Sequence, residues 1–168
     1  MIRTDRLCLR APRQDDLDAL HRVFGNVEAM RYWSHPAHTQ RAQTQQVLHD
    51  MIRSHTATGV EFVVEHQGRV IGKAGLWRIA ELGYILHPDH WGQGLAHEAL
   101  GAVLNAAWDR HPQIDRITAE IDPRNITSAR LLSRLGFQVT GHAENTLQVN
   151  GEWCDSTYYD LSRPQRQA

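Results

Sequence analysis

Cysteine is scarce in this 168-residue chain: there are 2, Cys8 and Cys154, without Cys-x-x-Cys spacing. A disulfide framework and a cysteine-rich zinc fold are excluded, and free buried thiols in a reducing compartment are expected. Net charge is nearly absent, at -1 with histidine neutral. No basic field is available to attract nucleic acid or an anionic lipid surface, so no nucleic acid and no membrane is expected as a partner. No leader-like segment and no apolar run of membrane-spanning length occurs, and the expected location is cytoplasmic. Repeats, linkers and low-complexity stretches are also missing. Residues 1–168 are therefore expected to form one domain, with a core that removes about two thirds of the unfolded surface from water.

Histidine, by contrast, is unusually frequent, at 11. The pairs His35/His38 and His87/His90 flank prolines in loops, and neither a His-Glu-x-x-His helix nor a Cys/His cluster accompanies them. Loop histidines explain them, and no metal is expected.

Thr4 to Arg10 alternates from Leu7 and reads as a first strand near a sheet edge. Asp15 and Asp16 put negative charge at the start of a helix carrying Leu17, Leu20, Val23 and Phe24. Tyr32 and Trp33 precede a proline-broken loop, which reads either as a substrate lip or as packing beneath a helix. Thr39 opens a second helix with Val47, Leu48, Met51 and Ile52 on one stripe. Residues 60–65 and 70–76 form a hairpin, and the link from Leu76 to the next strand at Glu81 is very short or bulged. From Leu95 an alanine-faced helix runs to about Asp109, and the strand at Ile114–Ile121 completes a β-α-β crossover, which predicts a parallel pair. Asn125 is the N-cap candidate of a further helix ended by Gly136. Asn150-Gly151 marks a hairpin turn, and the polar tail from Ser162 is expected to fray.

Glu81 to Leu100 organises the chain. A strand, Glu81–Leu86, leads through a loop with Gly92 and Gly94 into the helix at Leu95, placing bare amides and the positive end of a helix dipole together. This is an anion site in outline. A P-loop needs Gly-Lys-Ser/Thr, which is absent, and a dinucleotide fingerprint needs a third glycine, so a module for ATP or NAD lacks its own residues.

Thr4-Asp5-Arg6-Leu7-Cys8-Leu9-Arg10, then Glu81–Leu86 with Trp91-Gly92-Gln93-Gly94-Leu95-Ala96, then Asn125-Ile126-Thr127-Ser128 with Leu135-Gly136-Phe137 occur in order over almost the whole chain. Together they resemble the GNAT superfamily of acyl-CoA-dependent N-acyltransferases, most nearly the branch of ribosomal-protein alanine acetyltransferases. The resemblance implies an α+β GNAT fold: a mixed, mostly antiparallel seven-stranded sheet with helices on both faces, splayed between its fourth and fifth strands. It implies acetyl-CoA as co-substrate. Main-chain groups of Tyr84, Ile85 and Leu86 would face the pantetheine arm, those of Gly92, Gln93, Gly94, Leu95, Ala96 and His97 the diphosphate, with Asn125 nearby on the next helix.

The implied reaction is direct attack by a primary amine, from a small molecule or a protein N-terminus. Such an amine arrives protonated and needs a base, for which Glu81 is the candidate; its other reading is an ordinary charge at a strand start. A free amide of the strand aimed at the oxyanion is worth about 3 kcal/mol in other acyl transfers. Ser128 is a candidate donor to the departing thiolate, or else mere cap polarity. Tyr32, Trp33 and Trp77, with Trp153 behind them, are candidate acceptor contacts and equally good core residues. Three positions depart from the family pattern. Leu132 stands where many members have a tyrosine acid, Trp91 opens the loop motif, and Leu147, with Glu144 the nearest acid, stands where the ribosomal-protein enzymes carry a glutamate. The short link at Leu76–Glu81 opens the acceptor side or invites a second subunit as a homodimer. A catalytically silent acyl-CoA-binding or regulatory domain remains the alternative.

Overall fold

The structure, a computed structural model, describes residues 1–164. In chain order its elements are β1 (Ile2–Arg3), β2 (Leu7–Arg10), α1 (Leu17–Phe24), α2 (Arg41–Thr58), β3 (Glu61–His66), β4 (Arg69–Arg78), β5 (Glu81–Leu86), α3 (Leu95–Arg110), β6 (Arg116–Ile121), α4 (Ile126–Arg134), β7 (Gln138–Val149) and β8 (Glu152–Ser162). They build one sheet in the order β1-β2-β3-β4-β5-β6-β8-β7, antiparallel throughout except at β5–β6. The sheet has 8 strands, not the expected seven. The addition is β1, paired through Ile2↔Leu9 and Arg3↔Cys8, and two residues are too few to show an alternation.

Strand alternation sends side chains to two cores. Leu82 and Leu86 of β5 pack with Leu95, Leu100 and Val103 of α3 and with Leu131 and Leu132 of α4. Ile85, one residue out of phase, packs with Val63 on the other face, against Leu20 and Phe24 of α1 and Leu48 and Met51 of α2. Helices thus cover both faces, and the sheet edge at β7 is the outer strand of a long hairpin turned at Asn150 (φ 51°) and Gly151 (φ 83°).

Local departures from the sequence expectations have local causes. Helix α2 begins at Arg41 rather than Thr39 because the Gln43 side chain reaches back to accept from the amides of Thr39 and Gln40. Asp16 stands at the N-cap of α1 as expected, but buried, at 4% exposed, and ion-paired to Arg10 at 2.6 Å. Cys154 is buried but Cys8 is only half-buried, and both are free. The chain is not frayed from Ser162: Arg163 donates to the carbonyls of Trp108, His111 and Ile114. Residues 165–168 of that tail lie outside the described residues.

The feature that positions the site is the parting of β5 and β6. They register at a single pair, Glu81↔Thr118, secured by the Thr118 amide on the Ala80 carbonyl at 2.6 Å. The short link before it is a bulge between Leu76 and Arg78 and a left-handed Ala80 (φ 75°). Beyond Glu81 the two strands diverge.

Candidate active site

A cavity of about 820 Å³ occupies the space between the diverging strands, lined by residues 81–84 of β5 and 119–121 of β6. Glu81 stands half-buried in its wall. Burial lifts its carboxyl above the ordinary value of 4.5, with the charge of Arg78 opposing and that of Glu120 adding. A carboxylate of raised proton affinity beside a cavity is suited to take a proton from a substrate.

On the far side of β5, the Tyr84 phenol and the Ser128 hydroxyl share a hydrogen bond of 2.5 Å, and both residues line the cavity. Burial raises the Tyr84 phenol, while the bond to Ser128 lowers it. Ser128 is held there by Asn125, whose side-chain oxygen accepts from the Ser128 amide at 3.1 Å, so Asn125 caps α4 as its sequence context predicted. Leu132, one turn on, is fully buried and offers no acid.

Tyr32, Trp33 and Trp77 all line the cavity. Met30 is core, and Trp33 packs edge-on against Phe24 at 5.5 Å as well as lining the cavity. Trp153 is 58% exposed and takes no part in the lining.

At the other end of β5 the loop is made of main chain. Gly92 (φ 71°) and Gly94 (φ 77°) adopt the left-handed region that disfavours other residues, and α3 starts at Leu95 with no side chain capping it. Its first amides are left for a ligand, with the helix dipole behind them. The Leu95 side chain is buried, whereas Gln93 and His97 are exposed, Gln93 donating to the Asp89 carbonyl at 3.1 Å. The loop is braced from the turn between β1 and β2: Arg6 donates to the Gln93 carbonyl at 2.8 Å and pairs with Glu98 at 2.7 Å, and the Thr4 hydroxyl donates to Glu98 at 2.6 Å. Trp91 donates its indole N–H to the Leu86 carbonyl at 2.8 Å. That bond ties the loop to β5 and uses one acceptor site of a backbone group assigned to the pantetheine arm.

Residues 6–138 match the sequence profile described as "Acetyltransferase (GNAT) domain". The chain belongs to the GNAT acetyltransferase family. Its activity class is acetyl-CoA-dependent N-acetyl transfer to an amine. The GNAT chain is 29% identical to a Bacillus licheniformis protein described as an uncharacterized N-acetyltransferase, p20, over 94% of its own length and 93% of that protein's. It is 37% identical to the Escherichia coli ribosomal protein uS5 alanine N-acetyltransferase, over 54% of this chain and 46% of that protein. A solved spermidine N-acetyltransferase from Vibrio cholerae, in complex with CoA and spermine, superposes with a TM-score of 0.79 at 24% identity, covering 95% of this chain and 96% of that one. At that identity the likeness carries the fold. The GNAT chain's own residues fit CoA: an uncapped α3 behind two left-handed glycines supplies the donors a diphosphate needs, and no cationic side chain is required.

Several cavity groups were not singled out from sequence. Glu61 and Lys73 form an ion pair of 2.7 Å deep in the cavity, 0% and 5% exposed. Glu120 accepts from the Ser156 hydroxyl at 2.5 Å, and Arg124 bridges Asp122 and Glu152. The available signal was alternation. Glu61 and Lys73 share a strand face with buried Val63, so their charges fall in register with the core.

Proposed function

We propose that this GNAT domain, residues 1–168, acetylates a primary amine of a small molecule or a protein N-terminus by direct attack in the cavity between β5 and β6. The observation that carries the proposal is Glu81: it stands at the last paired position of the two strands, in the cavity wall, with its carboxyl lifted by burial. In this reading Glu81 accepts a proton from the acceptor ammonium, directly or through water. The nitrogen then forms its bond to the acyl carbon as the carbon–sulfur bond breaks. The hydroxyl pair of Tyr84 and Ser128 supplies a proton to the leaving sulfur and is restored by the second proton, which the acylated nitrogen sheds. Main-chain groups of residues 84–86 and 92–97 hold the co-substrate, while Tyr32, Trp33 and Trp77 hold the acceptor. The relatives that act on spermidine and on a ribosomal-protein alanine support an amine acceptor. Two free thiols, Cys8 and Cys154, suit a cytoplasmic setting.

The test follows thiol release from acetyl-CoA across a panel of amines. Glu81→Gln is expected to slow turnover and remove an ionisation from the pH–rate profile while CoA affinity stays near wild type. An unchanged profile would place the base elsewhere.

A further inference from the structure

Glu61 and Lys73 are the most deeply buried charged side chains of the cavity, and the reaction above uses neither. Lys73 is the only lysine in the chain. Room for the pair comes from a row across the sheet in which Glu61 of β3 is level with Gly75 of β4, and Gly75 with Gly83 of β5. A Cβ on Gly75 would stand 2.6 Å from Glu61 Oε2, and one on Gly83 would stand 4.0 Å from Lys73 Nζ. The carboxylate therefore lies over Gly75, and the ammonium reaches toward β5.

The pair is incompletely bonded. Glu61 Oε2 is buried with no hydrogen-bond partner among the described residues. Lys73 Nζ makes one hydrogen bond among those residues, to Glu61 Oε1, and the Trp33 ring centre lies 5.9 Å away. An ammonium has three N–H donors. An acceptor without a donor thus stands beside donors without an acceptor, in the wall of a cavity. Stability does not explain the arrangement, because a buried ion pair is often matched by apolar residues of the same volume, and an orphaned buried group costs about 1–3 kcal/mol.

We infer that the Glu61–Lys73 pair is a subsite for a carboxamide or peptide group adjoining the reacting amine. Oε2 is closed to solvent in this structure, so the Glu61 carboxylate turns toward the cavity to accept from the group's N–H, while the group's C=O accepts from Lys73 Nζ. A second ammonium there would gain Glu61 but be repelled by Lys73, and a free carboxylate would gain Lys73 but be repelled by Glu61. A neutral group carrying both a donor and an acceptor meets neither penalty. Adjacent strands are ~4.8 Å apart, so a group read over Gly75 sits only a few atoms from a nitrogen reacting beside β5. The acceptor class is then the α-amino amide, including the N-terminus of a peptide, in preference to alkylamines, diamines and free amino acids. This deepens the acyl-transfer reading and rests on it.

With one lysine in the chain, lysine-selective isotope labelling gives a single side-chain resonance. In the CoA-loaded protein, alaninamide and an alanyl dipeptide amide are expected to shift that resonance and to bind about tenfold tighter than propylamine, diaminobutane or alanine. Tighter binding of the dipeptide amide assigns a peptide N-terminus, and equal binding a small amide. The double variant Glu61→Met/Lys73→Met removes both charges together, so it is expected to fold. Its preference for alaninamide over propylamine in kcat/KM should fall about tenfold. A wild-type preference for diaminobutane, or an amide preference that survives the double variant, overturns the inference. If no amine is acetylated, the acyl-transfer reading fails instead, and the binding titration still decides the subsite.

Discussion

Strand β5 serves two regions built in different ways. At its C-terminal end it runs into a loop whose chemistry lies in the main chain: left-handed Gly92 and Gly94, an uncapped helix, and exposed side chains on Gln93 and His97. At its N-terminal end it lines a cavity whose chemistry lies in single side-chain atoms: Glu81, and across the sheet Glu61 and Lys73. A backbone site is insensitive to which side chains surround it so long as the conformation holds. A side-chain site fails when one oxygen is lost. On the proposed reading, one strand can therefore keep its co-substrate constant while its acceptor changes.

The largest expected effect tests how far the cavity depends on paired charge. Glu61→Gln leaves the Lys73 ammonium buried and uncompensated, and should destabilise the protein by about 3–5 kcal/mol in urea unfolding. The double variant Glu61→Met/Lys73→Met should recover most of that loss. Equal midpoints for the single variant and wild type would show that the cavity floor tolerates an unpaired charge, and the contrast with the loop would collapse.

Glu81→Gln comes next, with a fall in kcat on the order of 100-fold. In the proposed role Glu81 acts as the carboxylate, so the rising limb of kcat/KM should lie above the usual carboxylate range, because burial raises this group. Stability has the opposite slope. A carboxyl raised by folding contributes stability that is full below its unfolded pKa and is lost as pH rises through the folded one. Wild type should thus hold an advantage over Glu81→Gln at acid pH that fades as Glu81 ionises. A limb at the ordinary value of 4.5 would make Glu81 a plain surface acid.

Gly94→Ala probes the other region. Holding alanine in the left-handed region costs roughly 1–2 kcal/mol, and the same amount taken from the loop should weaken CoA about tenfold by calorimetry. Gln93→Ala and His97→Ala should stay within about twofold: both side chains are exposed, and the one bond involved, from the Gln93 side-chain amide to the Asp89 carbonyl at 3.1 Å, is itself exposed. If either of these matched Gly94→Ala, the loop would be a side-chain site after all.

The same division explains what could be read in the sequence. Gly92, Gly94 and the apolar spacing from Leu95 report the loop directly, because glycine and helix period encode backbone conformation. The parallel β5–β6 pair, the Asn125 cap and the Asn150-Gly151 turn were legible for the same reason. β1 was not, being too short for a pattern. Glu61 and Lys73 escaped because their partnership depends on register across three strands and on Gly75 and Gly83 lying in one row. Nothing local to either residue records that. Tyr84 was partly legible: its place on β5 was clear, but its phenol's bond to Ser128 on α4 joins residues 44 positions apart.

Tyr84 is also where the two regions overlap, since its main chain faces the co-substrate in the proposed reading and its phenol lines the cavity. Ser128→Ala tests this junction with the smallest expected effect. A thiolate leaves readily without a proton, so losing one donor should lower kcat by no more than about fivefold, the equivalent of roughly 1 kcal/mol. The Tyr84 phenol loses the bond that lowers it and should titrate still further above its ordinary value, which ultraviolet titration of the variant reads. Tyr84→Phe should give a similarly small loss, and the double variant little more, because either hydroxyl can reach the sulfur only through the shared pair. A loss approaching that of Glu81→Gln, with CoA affinity intact, would mean that sulfur protonation limits the reaction, and β5 would then be a side-chain site on both of its faces.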